Sequence, residues 1–396
     1  MENLQTELVS IRRHLHQNAE VGFDLDITYA YIKACLENYG YTIQACGKNG
    51  IVTTVGKGDK TFLLRADTDA LPIREQSKLS YACKYGYMHA CGHDMHTAML
   101  LGAARLLKVH ERELKGKVKL MFQPAEELLK GAKDMIEKGA LKDPTPQAGM
   151  TLHVMTGVDL PTGTVTVASG ISAPAADFFS IEIQGKGCHG SAPWMGVDAL
   201  TVGARILLGL EELSAREIPV ATPAVLTIGS IEANGADNAI SDRVILKGTL
   251  RAFDERCRKN LKNRIEEIAK GIGNAYRCKV KILYPSGCPT LVNNEELSTF
   301  TESVLKQTLG EEKVFNMKTL DGNTRKNSGG SEDFAYISHE IPTVMIAIAA
   351  GAKQDGYHYP LHHPKVTFDE AALSIGAKIY AAVAYEWLKG QTKKQP

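Results

Sequence analysis

Ala173-Pro-Ala-Ala-Asp-Phe-Phe-Ser-Ile-Glu-Ile-Gln184 is the stretch on which the architecture turns. From Asp177 to Gln184 apolar and polar residues alternate with period two, the pattern of a half-exposed strand. Downstream, the apolar spacing predicts a helix over Asp198–Leu213 and strands over Ala224–Ile231 and Arg243–Phe253. A helix over Cys257–Tyr276 and a strand over Lys279–Leu283 complete the series. The order β-α-β-β-α-β within roughly 110 residues is that of a ferredoxin-like α+β unit.

Either side of this stretch the pattern differs. Leu4, Leu8, Ile11 and Leu15 recur at helical spacing, as do apolar residues over Thr28–Tyr39 until Gly40. The β-rich runs Ile51–Val55 and Thr61–Leu64 bracket Gly56-Lys57-Gly58-Asp59, which predicts a hairpin. Then follow a helix over His96–His110, a strand over Lys117–Phe122 and a helix over Ala125–Lys138, stopped by Gly139. After Pro289 come a helix over Glu295–Leu309, a strand over Pro342–Ala349 and a helix over Asp369–Lys389. Strands alternating with helices predict an α/β layer structure with a mostly parallel central sheet. The expected organisation is one α/β domain, residues 1–175 and 289–396, interrupted by the α+β insert, 176–288.

Composition narrows the class of partner. The 396 residues carry 46 Lys+Arg against 45 Asp+Glu, a net charge of +1, which argues against nucleic acid or an anionic membrane as main partner. No run reaches the roughly 18 apolar residues of a membrane span, and residues 1–17 lack the apolar core of a secretory leader. The eight cysteines have no paired spacing and read as reduced thiols, one or more of them free to bind metal. A soluble, cytoplasmic protein is expected.

Chemistry concentrates in Met88-His-Ala-Cys-Gly-His-Asp-Met-His96, with three histidines, a cysteine and an aspartate just before a helix. Thiolate and imidazole suit zinc, manganese, cobalt or nickel. Gly92 permits a tight turn that aims Cys91 and His93 at one point. Gln123-Pro-Ala-Glu-Glu127 follows at a strand end, where one carboxylate can bind metal while its neighbour acts on a water. A glutamate pair at a helix start also serves the helix dipole. His153, the pair His362/His363, and Arg65-Ala-Asp-Thr-Asp-Ala-Leu-Pro72 are the remaining pieces. Open α/β sheets gather such groups at the carboxyl ends of their strands. Cys91, His93, Glu127, His153 and one of His362/His363 exceed the three protein ligands of a single catalytic zinc. They fit two metals about 3.5–4 Å apart, with Glu126 left to take a proton from water during amide hydrolysis.

At these residues the chain resembles the co-catalytic metal-dependent aminoacylase and carboxypeptidase superfamily. The nearest branch is that of hippurate hydrolases, N-acyl-amino-acid amidohydrolases and auxin-conjugate hydrolases. The resemblance runs through RRHLHQNAEVGF, RADTDALPI, MHACGHDMHTAMLLGAARLL, QPAEE, GKGCHGSAP, GTLRAF, SGGSEDF and LHHPKVTFDE. It implies a dinuclear-metal exopeptidase-like catalytic domain with an inserted lid and dimerisation domain. Cys91 is then the bridging ligand, completed by His93, Glu127, His153 and His362, the last preferred over His363 by the pattern Leu-His-x-Pro. Glu126 corresponds to the general base and Asp69 to the aspartate that orients the ligands. His189 corresponds to the lid histidine that stabilises the oxyanion, and Asn238 and Arg251 to lid positions that receive the substrate carboxylate. The implied cofactors are two divalent ions, zinc or manganese before cobalt or nickel, and the implied substrate is a small N-acyl amino acid. A homodimer through the lid domain is expected, with no nucleic-acid or membrane partner. A dipeptidase or carboxypeptidase activity on the same site is the alternative, and a hydrolase using Cys91 as nucleophile with His93 or His96 a more distant one.

Overall fold

Thr61–Asp67 is buried at every position, so it must lie inside a sheet covered on both faces. In the computed structural model, which describes residues 2–220, 222–317 and 330–390, it lies at the centre of an eight-stranded sheet. The strand order is Gln44–Ala45, Ile51–Gly56, Lys117–Gln123, Thr61–Asp67, Ala148–Met155, Thr343–Ala349, Val165–Val167, Val314–Asn316. The four central strands run parallel, with Asp67 opposite Gln123, Arg65 opposite Thr151 and His153 opposite Ala347. Their carboxyl ends therefore open on one side. The helix His93–Val109 is buried almost all round and packs against Glu2–Gln17 and Ala372–Lys389.

Two local expectations fail here. Ile51–Gly56 and Thr61–Asp67 do not form a hairpin: Lys117–Gln123 lies between them, antiparallel to the first and parallel to the second. A strand buried on both faces needs a partner along each edge, and the chain fills one edge from further along its length. Nor does a helix run over Ala125–Lys138. It is confined to Gly131–Glu137, after a turn in which Ala125 and Leu129 take φ values of 55° and 53°.

The chain divides into two compact units, one of Ala173–Leu291 with Gly330 and Ser331, the other of the remaining described residues. In the smaller unit Ala175–Gln184 pairs antiparallel with Lys279–Cys288 and Arg243–Ala252, and the latter with Ala224–Ala233. The order fourth-first-third-second is that of the ferredoxin-like unit. Its helices start where Asp198 accepts from Leu200 N and Thr201 N, and where Asp254 accepts from Cys257 N. Phe179, Ile181, Ile183, Ile206, Leu246 and Ile265 form its core. Of the SGGSEDF motif, Ser328 and Gly329 lie outside the described residues.

Candidate metal centre

Gly92 sets the first donors. Its φ is 88°, and a Cβ there would lie 2.3 Å from Val154 Cγ2, so only glycine fits. The turn places Cys91 on one side and His93, first residue of its helix, on the other, both buried. His153 arrives at the end of the Ala148–Met155 strand. Its Nδ1–H donates to Val154 O at 2.7 Å, which leaves Nε2 facing Cys91 Sγ at 3.4 Å. His362 takes a left-handed φ of 64° and is held by its N–H on Ala90 O at 2.9 Å. Its Nε2 lies 3.3 Å from Glu127 Oε1. His363 turns away: its Nδ1 accepts from Lys365 N and its ring stacks on Tyr359.

Asp69 explains why the glutamate turn is not helical. Its carboxylate accepts from Glu126 N at 3.1 Å and Glu127 N at 3.2 Å, and faces His93 Nδ1 at 3.4 Å. With those amides pointed at a buried carboxylate, the backbone turns back through Leu129 N on Glu126 O and Gly131 N on Ala125 O.

The result is two triads of donor atoms, each within 4.8 Å: Cys91, His93 and His153, then Cys91, Glu127 and His362. Cys91 belongs to both. Glu126 approaches His93 and Glu127 in a third such group. His93 Nε2 is buried without a hydrogen-bond partner, which costs about 1–3 kcal/mol, and Glu127 Oε1 meets the His362 imidazole at 3.3 Å. The donor set fits cations that would supply the missing bond. Charges already lean that way. Burial alone would raise the Cys91 thiol, but the imidazoles of His153 and His93 bring it down to about 6. Burial likewise opposes protonation of His153, yet the facing thiolate lifts it to about 9. Hydrogen bonds to Cys91 and Glu127 lift His362 to about 10. Burial, with Glu332, Glu127 and Asp333 close by, holds Glu126 well above the usual carboxylate range.

Sequence reasoning missed the frame behind these donors. His96 Nδ1 bonds Asp67 Oδ1 at 2.6 Å while Nε2 accepts from Val154 N at 2.8 Å, so both of its nitrogens are engaged and it cannot serve as a ligand. Arg65, wholly buried, donates to Asp67, Gln123, Glu332 and Asp333 at 2.8–3.0 Å. Arg65, Asp67 and the Glu332–Asp333 pair stand in the RADTDALPI and SGGSEDF motifs, the signal that could have found them. In the smaller unit, His189 and Asn238 adjoin, with Gly190 N donating to Asn238 O at 2.7 Å. His189 is exposed, and its Nδ1 accepts from Ser191 Oγ at 2.8 Å, leaving Nε2 outward. Arg251 is half-buried over Phe178 and donates to Ser331 Oγ at 2.6 Å.

Fold and site together define an α/β protein carrying a cysteine-centred metal-donor cluster at the carboxyl ends of the parallel central strands of a mixed sheet, interrupted by a ferredoxin-like unit. Comparison with known proteins places it more closely: the chain belongs to peptidase family M20/M25/M40, whose model matches residues 63–386. It is 36% identical over 377 residues to N-acetyl-L-cysteine deacetylase of Bacillus subtilis, covering 94% of this chain and 86% of that protein. It is 34% identical to hippurate hydrolase of Campylobacter jejuni, covering 98% of both. A Bacillus subtilis structure described as a dinuclear metal binding peptidase of the M20 family superposes with a TM-score of 0.78. The two are 30% identical, and the match covers 98% of this chain and 99% of that one.

Proposed function

We propose that this chain is a metal-dependent amidohydrolase that releases a free amino acid from an N-acyl amino acid. One observation carries the reading: Cys91 is common to two donor triads that have the Glu126 carboxylate beside them. The names of the relatives, a deacetylase of N-acetylcysteine and a hydrolase of hippurate, point to the same bond. Cys91, His93, His153, Glu127 and His362 would hold two divalent ions, zinc or manganese first. Bound there, such ions polarise a carbonyl and acidify a water.

The remaining chemistry belongs to the chain. Glu126, biased by its surroundings toward holding a proton, takes one from the attacking water and gives it to the leaving nitrogen as the C–N bond breaks. Asp69 aligns both glutamates and His93 through one carboxylate. His189, its Nδ1 occupied by Ser191, offers Nε2–H to the oxyanion. Arg251 and Asn238 receive the substrate carboxylate, for which a guanidinium fork is well shaped. The smaller unit serves as lid. Its edge strand Ala224–Ala233 exposes Val225 and Ile231 along an unpaired backbone, the kind of edge that pairs with a second copy, and it supports a homodimer. Ile231→Lys is expected to give monomers in sedimentation, and an unchanged dimer would refute that. Among the described residues none of the eight cysteines is joined in a disulfide, which favours a reducing, cytoplasmic setting. Among the described residues no helix is long and apolar enough to cross a membrane.

The test is amine release from N-acetyl, N-benzoyl and N-indoleacetyl amino acids and dipeptides, using metal-stripped protein with and without added divalent ions. Release that needs metal supports the proposal, and the best substrate identifies the acyl group. One observation favours a second reading, a cysteine hydrolase: the Cys91–His153 contact. Release that ignores chelation but stops on thiol alkylation would establish it instead.

A further inference from the structure

The turn that presents Glu126 has no regular secondary structure to hold it, and Asp333 grips it from three directions. Before the turn, Asp333 Oδ1 accepts from Gln123 Nε2 at 2.7 Å and from Arg65 Nη2 at 3.0 Å. After the turn, Oδ2 accepts from Ala132 N at 2.9 Å. Between the two, the N–H of Asp333 points at Glu126 Oε1 at 3.4 Å. Gln123 is tied in as well, its Oε1 accepting from Arg65 Nε at 2.8 Å. The loop so gripped is tight, since a Cβ on Gly131 would sit 1.6 Å from Pro124 O. Asp69 and Asp333 thus hold opposite aspects of one turn, Asp69 through the amides of Glu126 and Glu127, Asp333 through both ends of the turn and the Glu126 carboxylate. Asp333 is itself wholly buried, so its carboxylate has no water to fall back on.

We propose that Asp333 is a positioning residue for Glu126, clamping the Gln123–Ala132 turn so that the Glu126 carboxylate is aimed at the attacking water. The inference rests on the amidohydrolase reading for what Glu126 does, but the clamp itself is a matter of hydrogen bonding alone.

Asp333→Asn is close in size. With its oxygen kept on Ala132 N, its NH2 faces the donors of Gln123 and Arg65, and the front of the clamp opens. The double variant D333N/Q123E exchanges carboxylate and amide across the same contact at constant net charge. The carboxylate introduced on the strand then accepts both from the amide introduced opposite it and from Arg65. D333N is expected to lose about 30- to 100-fold in kcat with KM within about threefold, the scale of a misplaced reacting group. Its bound-metal content should match wild type. Hydrogen exchange at amides 126–132 of the metal-free protein should accelerate about tenfold as this part of the fold opens locally. The double variant cures the contact with residue 123 but leaves Arg65 Nη2 facing the introduced amide, so it should recover a measurable part of both losses. A variant that keeps wild-type kcat and exchange overturns the proposal. So does a kcat loss that follows metal loss, or one that the exchange of groups fails to restore even in part. Should D333N not fold, Gln123→Met, which removes one arm of the clamp and leaves Asp333 on Arg65, is expected to show the same kcat-only loss at smaller size. A wild type that releases no amine from any substrate would sink the amidohydrolase reading, while the exchange comparison still decides whether Asp333 holds the turn.

Discussion

Asp69→Asn tests the geometry of the centre at its most economical point. One carboxylate serves three donors: Glu126 N at 3.1 Å and His93 Nδ1 at 3.4 Å on Oδ1, and Glu127 N at 3.2 Å on Oδ2. An asparagine keeps one acceptor. Its oxygen will turn to the side with two donors, which leaves its NH2 against the N–H of Glu127. A buried donor facing a donor costs about 1–3 kcal/mol, and loss of the charge weakens the remaining bonds by about another 1 kcal/mol. Part of this is offset. Burial, with Glu127 and Asp67 nearby, pushes the Asp69 carboxyl above its ordinary range, so removing the charge relieves some strain. A net loss of about 2 kcal/mol follows, or roughly 4–8 °C for a unit of this size. With the glutamate turn displaced, kcat should fall about 10- to 100-fold. Calorimetry of metal-free protein at neutral pH reads the first quantity, and amine release with metal restored reads the second. If D69N unfolds within about 1 °C of wild type and keeps its kcat, Asp69 does not organise the centre.

Glu126→Gln should retain its full metal content, since Cys91, His93, Glu127, His153 and His362 are untouched, while losing at least about 100-fold in kcat. Metal loss in that variant, measured by elemental analysis, would mean that base and ligand have been exchanged. His189→Ala should lower kcat far more than it raises KM, as for a contact made in the transition state; a pure KM effect contradicts the oxyanion role. In metal-free protein, thiolate absorbance missing from Cys91→Ser should rise through pH about 6. The sign follows from linkage. A lowered thiol pKa stabilises the fold above the free-thiol range and loses that contribution as pH falls through about 6. His153, raised to about 9, contributes below the ordinary imidazole value and loses it as pH climbs through about 9. Metal-free protein should therefore hold this ion pair between those limits, and a thiol titrating in the free range would refute it.

The donor set was readable because its residue types are uncommon together and its densest part is local, nine residues from Met88 to His96. The smaller unit was readable for another reason: its strands alternate cleanly, and antiparallel neighbours close in sequence leave few topologies. What escaped depends on distant chain. No local signal says that Lys117–Gln123 separates Ile51–Gly56 from Thr61–Asp67. The helical pattern over Ala125–Lys138 is real as a pattern, but Asp69 and Asp333, remote in sequence, take amides of Glu126, Glu127 and Ala132. Tertiary hydrogen bonds there outweigh local propensity. Arg65, Glu332 and Asp333 were visible as motif letters only, because their meaning is a shared burial.

The place of Thr343–Ala349 in the sheet bears on how the molecule is made. It lies between Ala148–Met155 and Val165–Val167, yet it is synthesised nearly two hundred residues after the first of them. Until it emerges, one edge of Ala148–Met155 stands unpaired, a template for other chains. The donor set has the same schedule, since His362 comes later still. Contacts of such separation are slow to form, so a ribosome-bound chain can fold its insert early, but the centre itself closes only after the last sheet strand has left the tunnel. One donor triad, Cys91, His93 and His153, is complete in the chain long before the other, which waits for His362, so the two halves of the centre become available at different times.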